Sequence, residues 1–133
     1  MQAPLTRRVI GAFYDVYNEL GHGFLEKVYQ SALIIALEDD GLKVSRFVPI
    51  PVYFRGRIVG DYIADVLVED AVYLELKAAR TLDTSHEAQL LNYLRATPIE
   101  IGLLLNFGPK PQVKRLVYDN PRKRHRGVPD ELL

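Results

Sequence analysis

The sequence contains no cysteine and no tryptophan, and only three of its 133 residues are histidines. The absence of cysteine excludes disulfide bonds and thiolate metal sites, and it fits a reducing, cytoplasmic location. The histidines (His22, His86 and His125) are scattered, and none stands at zinc-ligand spacing from another. A zinc enzyme and a disulfide-stabilised secreted domain are therefore not indicated.

Long apolar runs and net charge are also missing. No apolar run approaches the ~20 residues of a membrane-spanning helix, and residues 1–8 lack the apolar core of a signal peptide. We therefore expect no membrane association. The formal net charge is zero, so a nucleic-acid partner can be argued only from a local patch of charge. The length predicts one domain over residues 1–133, large enough to bury a core without disulfides.

Hydrophobic periodicity predicts helices and strands in alternation. Helices are expected over about 7–20, 24–40 and 85–96, and strands over about 44–54, 58–68, 72–78, 99–107 and 112–118. Pro49 and Pro51 predict that the first strand lies at an edge. The apolar run at 99–107 is typical of a buried strand, joined in parallel to the strand before the third helix through a right-handed crossover. The predicted fold is α/β (α+β), a mixed central sheet flanked by helices.

The stretch from Gly60 to Ala78 is predicted to form a β-hairpin around which the other elements are arranged. Strand alternation places one set of side chains from its first arm on a common face: Tyr62, Ala64, Val66 and Val68. In the second arm, a polar set shares one face: Tyr73, Glu75 and Lys77. The apolar residues that alternate with this polar set in the second arm point to the opposite face of the sheet.

The register of this hairpin decides whether two acids meet. A three-residue turn at 69–71 pairs Val68 with Val72, and the same register brings Asp65 opposite Glu75 at about 4.5–5.5 Å. Like charges in direct opposition destabilise a sheet unless a cation lies between them. A two-residue turn would instead separate the two acids. The longer turn therefore implies a cation site.

Asp65, Glu75 and Lys77 form the pattern D-x9-E-x-K. This pattern resembles the PD-(D/E)XK nuclease superfamily, in which an Asp and an E-x-K pair on adjacent strands hold a magnesium ion. Residues 23–29, Gly-Phe-Leu-Glu-Lys-Val-Tyr, also match the pattern that names the GxxExxY family, small bacterial proteins placed in that superfamily. The second motif makes the resemblance much more specific than D-x9-E-x-K alone.

The resemblance extends over most of the chain, from about residue 10 to residue 108. The predicted helix segment 89–94 and the strand segment 102–108 are similar to the same family and follow in the same order. The first helix departs from the pattern, because Tyr17-Asn18 stands where a histidine is expected nearby. No residue of this chain is therefore assigned the part of that histidine.

The resemblance implies a restriction-endonuclease-like core and hydrolysis of phosphodiester bonds in nucleic acid. It implies that Asp65, Glu75 and Glu26 supply carboxylates to Mg²⁺, for which Mn²⁺ would substitute. Lys77 would orient the attacking water or stabilise the transition state. Glu26 also has a plainer interpretation, as an acid that favours the N-terminus of a helix dipole.

Four further residues are expected to border the site: Gln89, Tyr93, Tyr29 and His86. His86, Gln89 and Tyr93 fall on one face of the third predicted helix, directly after the strand that carries Glu75 and Lys77. Their plainer interpretation is a solvated polar stripe. Tyr29 lies one helical turn after Glu26, and its plainer interpretation is a half-buried core tyrosine.

Other functions remain open at the level of sequence. A binding module that retains the nuclease fold without cleaving, and that recognises nucleic acid or protein, would carry the same motifs. If the charged motif is only structural, Lys77 forms a salt bridge with Glu75 or Asp65 on an exposed face, worth about 0–1 kcal/mol. The small size favours a homodimer or an accessory protein partner. A basic tail at about 119–133 is either a mobile, solvated tail or a nucleic-acid contact.

Overall fold

In a computed structural model of the protein, residues 4–119 are described, apart from the side chain of residue 62. The elements in chain order are α1 (Leu5–Leu20), α2 (Glu26–Asp39), β1 (Val44–Phe54), β2 (Arg57–Val68), β3 (Val72–Lys77), α3 (Thr84–Ala96), β4 (Ile101–Phe107) and β5 (Pro111–Val117). All but the first residue of the predicted basic tail lie outside the described residues. No helix in the described part of the chain is long and apolar enough to span a membrane.

The strands form one five-stranded sheet in the order β1-β2-β3-β4-β5. β3 and β4 are parallel, and the other neighbouring pairs are antiparallel. The parallel pair is connected by α3, as the sequence predicts. β1 occupies an edge, where its prolines are tolerated because an edge strand needs fewer backbone donors. The predicted mixed sheet flanked by helices, an α+β fold, is confirmed.

The sheet separates two apolar clusters. The helices α1 and α2 cover the larger one, whose buried members include Val9, Phe13, Tyr29, Leu33, Leu37, Val66, Val68, Leu74 and Phe107. The helix α3 covers the smaller one, which comprises Ala64, Leu67, Tyr73, Leu90, Tyr93, Leu94, Leu104 and Tyr118. The helical apolar stripes that the sequence predicts therefore face opposite sides of the sheet.

The predicted register of the β2–β3 hairpin is confirmed. Val68 pairs with Val72 across a three-residue turn, and the ladder ends at Val66 and Leu74. Asp65 and Glu75 occupy the next positions, beyond the last pair. The direct opposition of Asp65 and Glu75 expected from this register is therefore not part of the described ladder, and that detail of the prediction is wrong.

One feature of the predicted alternation is wrong. Val66 packs in the cluster under α1 and α2, whereas Ala64 packs in the cluster under α3, so the two do not share a face. The described ladder of β1 and β2 omits the pair Phe47 and Asp65, and Phe47 has a φ of 52°. This irregularity reverses the alternation in both strands, and a two-residue periodicity cannot anticipate it. Asp65 therefore lies at the bend of its strand.

Candidate active site

Four predicted site residues come from three elements of the fold. Glu26 is the first residue of α2, Asp65 lies on β2, and Glu75 and Lys77 lie on β3. The charges of Asp65, Glu75 and Lys77 all act on the carboxyl group of Glu26. The structure therefore brings the four residues into one electrostatic cluster, which we call the acidic cluster.

The surroundings of Glu26 disfavour the ionised form of its carboxyl group. Its pKa is raised above its ordinary value, first because the carboxyl is partly desolvated, and also because the charges of Asp65 and Glu75 repel it. Lys77 and His86 act in the opposite direction without reversing the shift. A carboxyl with a raised pKa among other acids is typical of a functional site.

The loop before Glu26 is held by Tyr29. The Tyr29 hydroxyl donates a hydrogen bond of 2.7 Å to the carbonyl oxygen of Gly21 and accepts one of 3.2 Å from the N–H of Phe24. Its fully buried ring stacks on Phe107 with the centroids 4.3 Å apart. The structure thus places Tyr29 in the core, as a residue that fixes the loop leading to Glu26.

Glu75 is the most buried acid of the cluster, with a side chain 11% exposed. Its Oε2 accepts a hydrogen bond of 2.7 Å from the hydroxyl of Tyr73, and its Oε1 lies 3.5 Å from Nζ of Lys77. The Glu75–Lys77 pair therefore exists, but it is too buried to match the exposed salt bridge of the plainer interpretation. A buried carboxylate needs such partners to remain charged.

Tyr73 is a site residue that the sequence predictions omit. Burial raises its pKa, and the neighbouring carboxylate of Glu75 raises it further. Its ring stacks on Tyr93 with the centroids 3.8 Å apart. The strand alternation contained the signal, because Tyr73 shares a face with Glu75 and Lys77.

The predicted residues on α3 occupy different environments. Nζ of Lys77 lies 3.5 Å from Oε1 of Gln89, so Gln89 borders the acidic cluster. The Nδ1 atom of His86 accepts a hydrogen bond of 3.3 Å from the N–H of Asp83, and this capping box begins the helix. Tyr93 is buried behind Tyr73, and burial raises its pKa to about 12.

The chain immediately after Lys77 is held by a buried amide. Asn106 accepts a hydrogen bond from the N–H of Ala79 and donates one to the carbonyl oxygen of Ala79, both at 2.9 Å. A Cβ on Gly108 would lie 2.2 Å from that same carbonyl oxygen, so only glycine permits this close approach. Both residues fix the end of β3, and hence Lys77.

The donor chemistry of the acidic cluster fits a hard divalent cation. Three carboxylates offer the oxygen ligands that Mg²⁺ and Mn²⁺ prefer, and Lys77 offsets part of their charge. Within the described residues, however, no three potential ligands among His, Cys, Asp and Glu form a group that could hold a metal ion. The donor types of the site fit a divalent metal, but the described carboxylates do not stand at a common ligand distance.

Comparisons with known proteins identify the fold and the superfamily of the chain. A solved structure described as the crystal structure of SSO0001 is similar in fold, with a TM-score of 0.59 and 17% sequence identity. The match covers 85% of this chain but only 63% of that one. No curated protein matches the sequence. The family model of the PD-(D/E)XK nuclease superfamily matches residues 3–116. The protein therefore belongs to the PD-(D/E)XK nuclease superfamily.

Proposed function

We propose that the protein is a metal-dependent nuclease that hydrolyses phosphodiester bonds of nucleic acid. The observation that carries the proposal is that the charges of Asp65, Glu75 and Lys77 all act on the carboxyl group of Glu26, while Oε1 of Glu75 lies 3.5 Å from Nζ of Lys77. Acids from three separate elements that lie within electrostatic range raise the free energy of the fold, because they repel one another. A cation and a phosphate substrate explain the arrangement.

Within the superfamily, we assign the chain to the GxxExxY family and Mg²⁺ to the acidic cluster. The motif tyrosine supports the family assignment, since the Tyr29 hydroxyl bonds to the carbonyl oxygen of Gly21 and to the N–H of Phe24 and so fixes the loop that presents Glu26. Asp65, Glu75 and Glu26 would hold the metal. A bound divalent cation would lower the pKa of a water ligand and polarise the phosphoryl group.

The remaining chemistry belongs to side chains of this chain. Tyr73 holds the Glu75 carboxylate in one orientation through its hydrogen bond to Oε2. Lys77, held between Glu75 and Gln89, would stabilise the negative charge that develops on the phosphoryl oxygens. Gln89 would keep the Lys77 ammonium directed towards that charge.

The competing function is a binding module that retains the fold without cleaving. One observation favours it: the described carboxylates do not form a group at metal-ligand distance. The two functions differ in what Asp65 does. In a nuclease its carboxylate is essential, whereas in a binding module its loss removes one negative charge and slightly favours association with nucleic acid.

The test is a cleavage assay of the purified chain on labelled single-stranded and duplex DNA and RNA, with Mg²⁺, Mn²⁺ or EDTA. We expect metal-dependent products with the wild type and none with Asp65→Asn. Asp15→Asn is the matched control, because Asp15 is an exposed acid on α1 that lies outside the acidic cluster. Binding without products in every metal would support the non-cleaving module instead.

A further inference from the structure

Beyond the acidic cluster, β1 and β2 continue as a two-stranded ribbon, residues 48–63, which we call the β1–β2 arm. β3 pairs with β2 only at residues 66–68, so in the described ladder each strand of the arm has the other as its partner. At its base, Val48 and Ile50 pack against the cluster under α3. At its distal end the large side chains are exposed, and a two-stranded ribbon without such packing is marginally stable in water. The length of that distal end therefore points to a function outside the core.

The turn at the tip of the arm contains an unfavourable residue. Phe54 pairs with Arg57 across a two-residue turn, in which Arg55 has a φ of 51° and Gly56 a φ of 76°. Glycine adopts this left-handed conformation readily, and asparagine or aspartate is usual at the first position. Arginine in that position stores backbone strain, and such outliers cluster at functional sites.

The tip presents an aromatic ring with a guanidinium group over its face and a second arginine opposite it in the ladder. Phe54 and Arg57 are directly opposed and so share one face, and the guanidinium of Arg55 lies 4.9 Å from the centroid of the Phe54 ring. Phe54 remains 57% exposed. An exposed ring with arginines on neighbouring positions offers a stacking surface for a base and positive charge for its flanking phosphates.

The charge of the tip stands out in a chain that is neutral overall. Residues 48–60 contain Arg55 and Arg57 and no acid. Neither guanidinium forms a salt bridge within the part of the chain that the structure describes. The nearest acid along the arm, Asp61, is paired with Pro51 farther from the tip. A polyanion complements this local charge.

The tip also exposes large apolar side chains, of which Tyr53, Ile58 and Val59 are each more than half exposed. A second copy of the chain could cover them. Two copies meeting tip to tip would, however, bring four arginines together without an acid among residues 48–60 of either copy. That repulsion favours nucleic acid over a second copy as the occupant.

We propose that the tip of the β1–β2 arm, through Phe54, Arg55 and Arg57, binds the backbone of the nucleic acid whose cleavage is proposed above. Arg57 and Asp65 lie eight residues apart on one strand, which spans about 27 Å. At about 3.4 Å per nucleotide, the tip reaches a phosphate roughly eight nucleotides from the acidic cluster. The inference rests on the proposed function for its substrate but makes its own predictions for binding.

The test measures binding separately from cleavage. Fluorescence anisotropy would follow labelled 20-mer DNA, duplex or single-stranded, with Asp65→Asn protein in EDTA, so that the probe stays intact. Adding Arg55→Ala and Arg57→Ala together is expected to weaken binding at least tenfold at low salt. The slope of log K against log salt should become shallower by about two for the duplex, because about two phosphate contacts are lost.

Two further variants distinguish binding from folding. Arg55→Asn places a favoured residue in the turn, so it should raise the thermal midpoint of unfolding while it weakens DNA binding. Arg7→Ala removes an exposed arginine of α1 and should leave affinity and salt slope unchanged. Loss of affinity for either DNA probe supports the proposal. Equal affinity and equal salt slope in the double arginine variant would overturn it.

Sedimentation velocity tests whether a second copy of the chain, rather than nucleic acid, occupies the tip. A wild-type dimer that dissociates in the double arginine variant, with DNA affinity unchanged, would overturn the proposal in favour of a second copy.

The outcomes also separate the nuclease proposal from the proposal for the arm. If no metal yields cleavage but the arm variants weaken binding, the nuclease proposal fails and the arm assignment stands. If the wild type cleaves and the arm variants bind equally well, the arm assignment alone fails.

Discussion

The hydroxyl of Tyr73 donates a hydrogen bond of 2.7 Å to Oε2 of Glu75, and both side chains are buried. The bond fixes the rotation of the carboxylate, so that its other oxygen, Oε1, lies on the side of Lys77 at 3.5 Å. The Tyr73 ring is itself held by stacking on Tyr93. The most buried acid of the cluster thus has its orientation determined from within the core.

Replacement of Tyr73 by phenylalanine should therefore weaken metal binding while it preserves the fold. The ring and its stack on Tyr93 remain, but Glu75 loses its orienting donor. Partners of this kind typically contribute about 10–100-fold in metal affinity. Calorimetric titration with Mn²⁺ measures the loss, and urea unfolding should show about 1.5–3 kcal/mol less stability, because the lost bond involves a charged group.

Tyr14→Phe serves as the control for Tyr73→Phe. Tyr14 lies on α1 with its side chain 40% exposed, so removal of its hydroxyl should change neither Mn²⁺ affinity nor stability. If Tyr73→Phe bound Mn²⁺ as tightly as the wild type, the orienting role of Tyr73 would have to be abandoned.

Removal of the Lys77 ammonium should abolish most hydrolysis. In Lys77→Ala the backbone of β3 stays paired with β4, and Asn106 continues to hold the residues that follow. We expect activity to fall about a hundredfold or more, the range seen when one preorganised electrostatic group is lost. Single-turnover cleavage rates measure the effect, and circular dichroism checks the fold.

Lys110→Ala is the matched control for Lys77→Ala, since Lys110 is an exposed lysine between β4 and β5. Its loss should leave the cleavage rate within about twofold of the wild type. Wild-type rates in Lys77→Ala would instead limit Lys77 to neutralising Glu75.

The hairpin shows how much of the fold is predictable from sequence. Its register followed from local information, because the turn length and the alternation of β3 together determine that Val68 pairs with Val72. The reversed alternation at Phe47 and Asp65 did not follow. That irregularity depends on how β1 and β2 bend together between the two helical layers, and no single strand contains this information.

For the candidate site, motif spacing selected Glu26, Asp65, Glu75 and Lys77, because alternation and helix starts are local properties. The charges of the last three act on Glu26 in the structure, and the catalytic roles of all four stay a prediction. Motif spacing could not distinguish Tyr73, which bonds to an acid of the cluster, from Tyr93, which lies in the core behind it. Tyr93 is buried behind Tyr73, and that difference depends on how α3 packs on β3 in three dimensions.

The pH dependence of stability distinguishes two roles for Glu26. A helix-dipole interaction alone would lower its pKa, and stability would then increase as pH rises. In the structure its pKa is raised above 4.5, chiefly by desolvation. The ionised form is therefore disfavoured in the folded state, and the contribution of Glu26 to stability falls as pH rises from below 4.5 through the raised pKa.

Glu26→Gln should remove this dependence. The stability of the variant relative to the wild type should increase between pH 4 and pH 7.5, and Mn²⁺ should stabilise the wild type more than the variant. Urea unfolding at both pH values provides the measurement. Glu38→Gln controls for loss of an exposed acid from the same helix. A relative stability that decreased over this range would support the dipole interpretation.

Tyr29→Phe tests whether the motif tyrosine fixes the loop or contacts substrate. The variant keeps the ring stacked on Phe107 but loses the hydrogen bonds to Gly21 and Phe24. We expect a loss of about 1–2 kcal/mol in the free energy of unfolding, as for one or two partly buried bonds. Because the loop presents Glu26, cleavage should decline at low metal concentration and recover as Mg²⁺ is raised, since binding of the metal draws the carboxylate back. Unchanged stability combined with a cleavage defect that Mg²⁺ does not correct would instead assign the hydroxyl to the substrate.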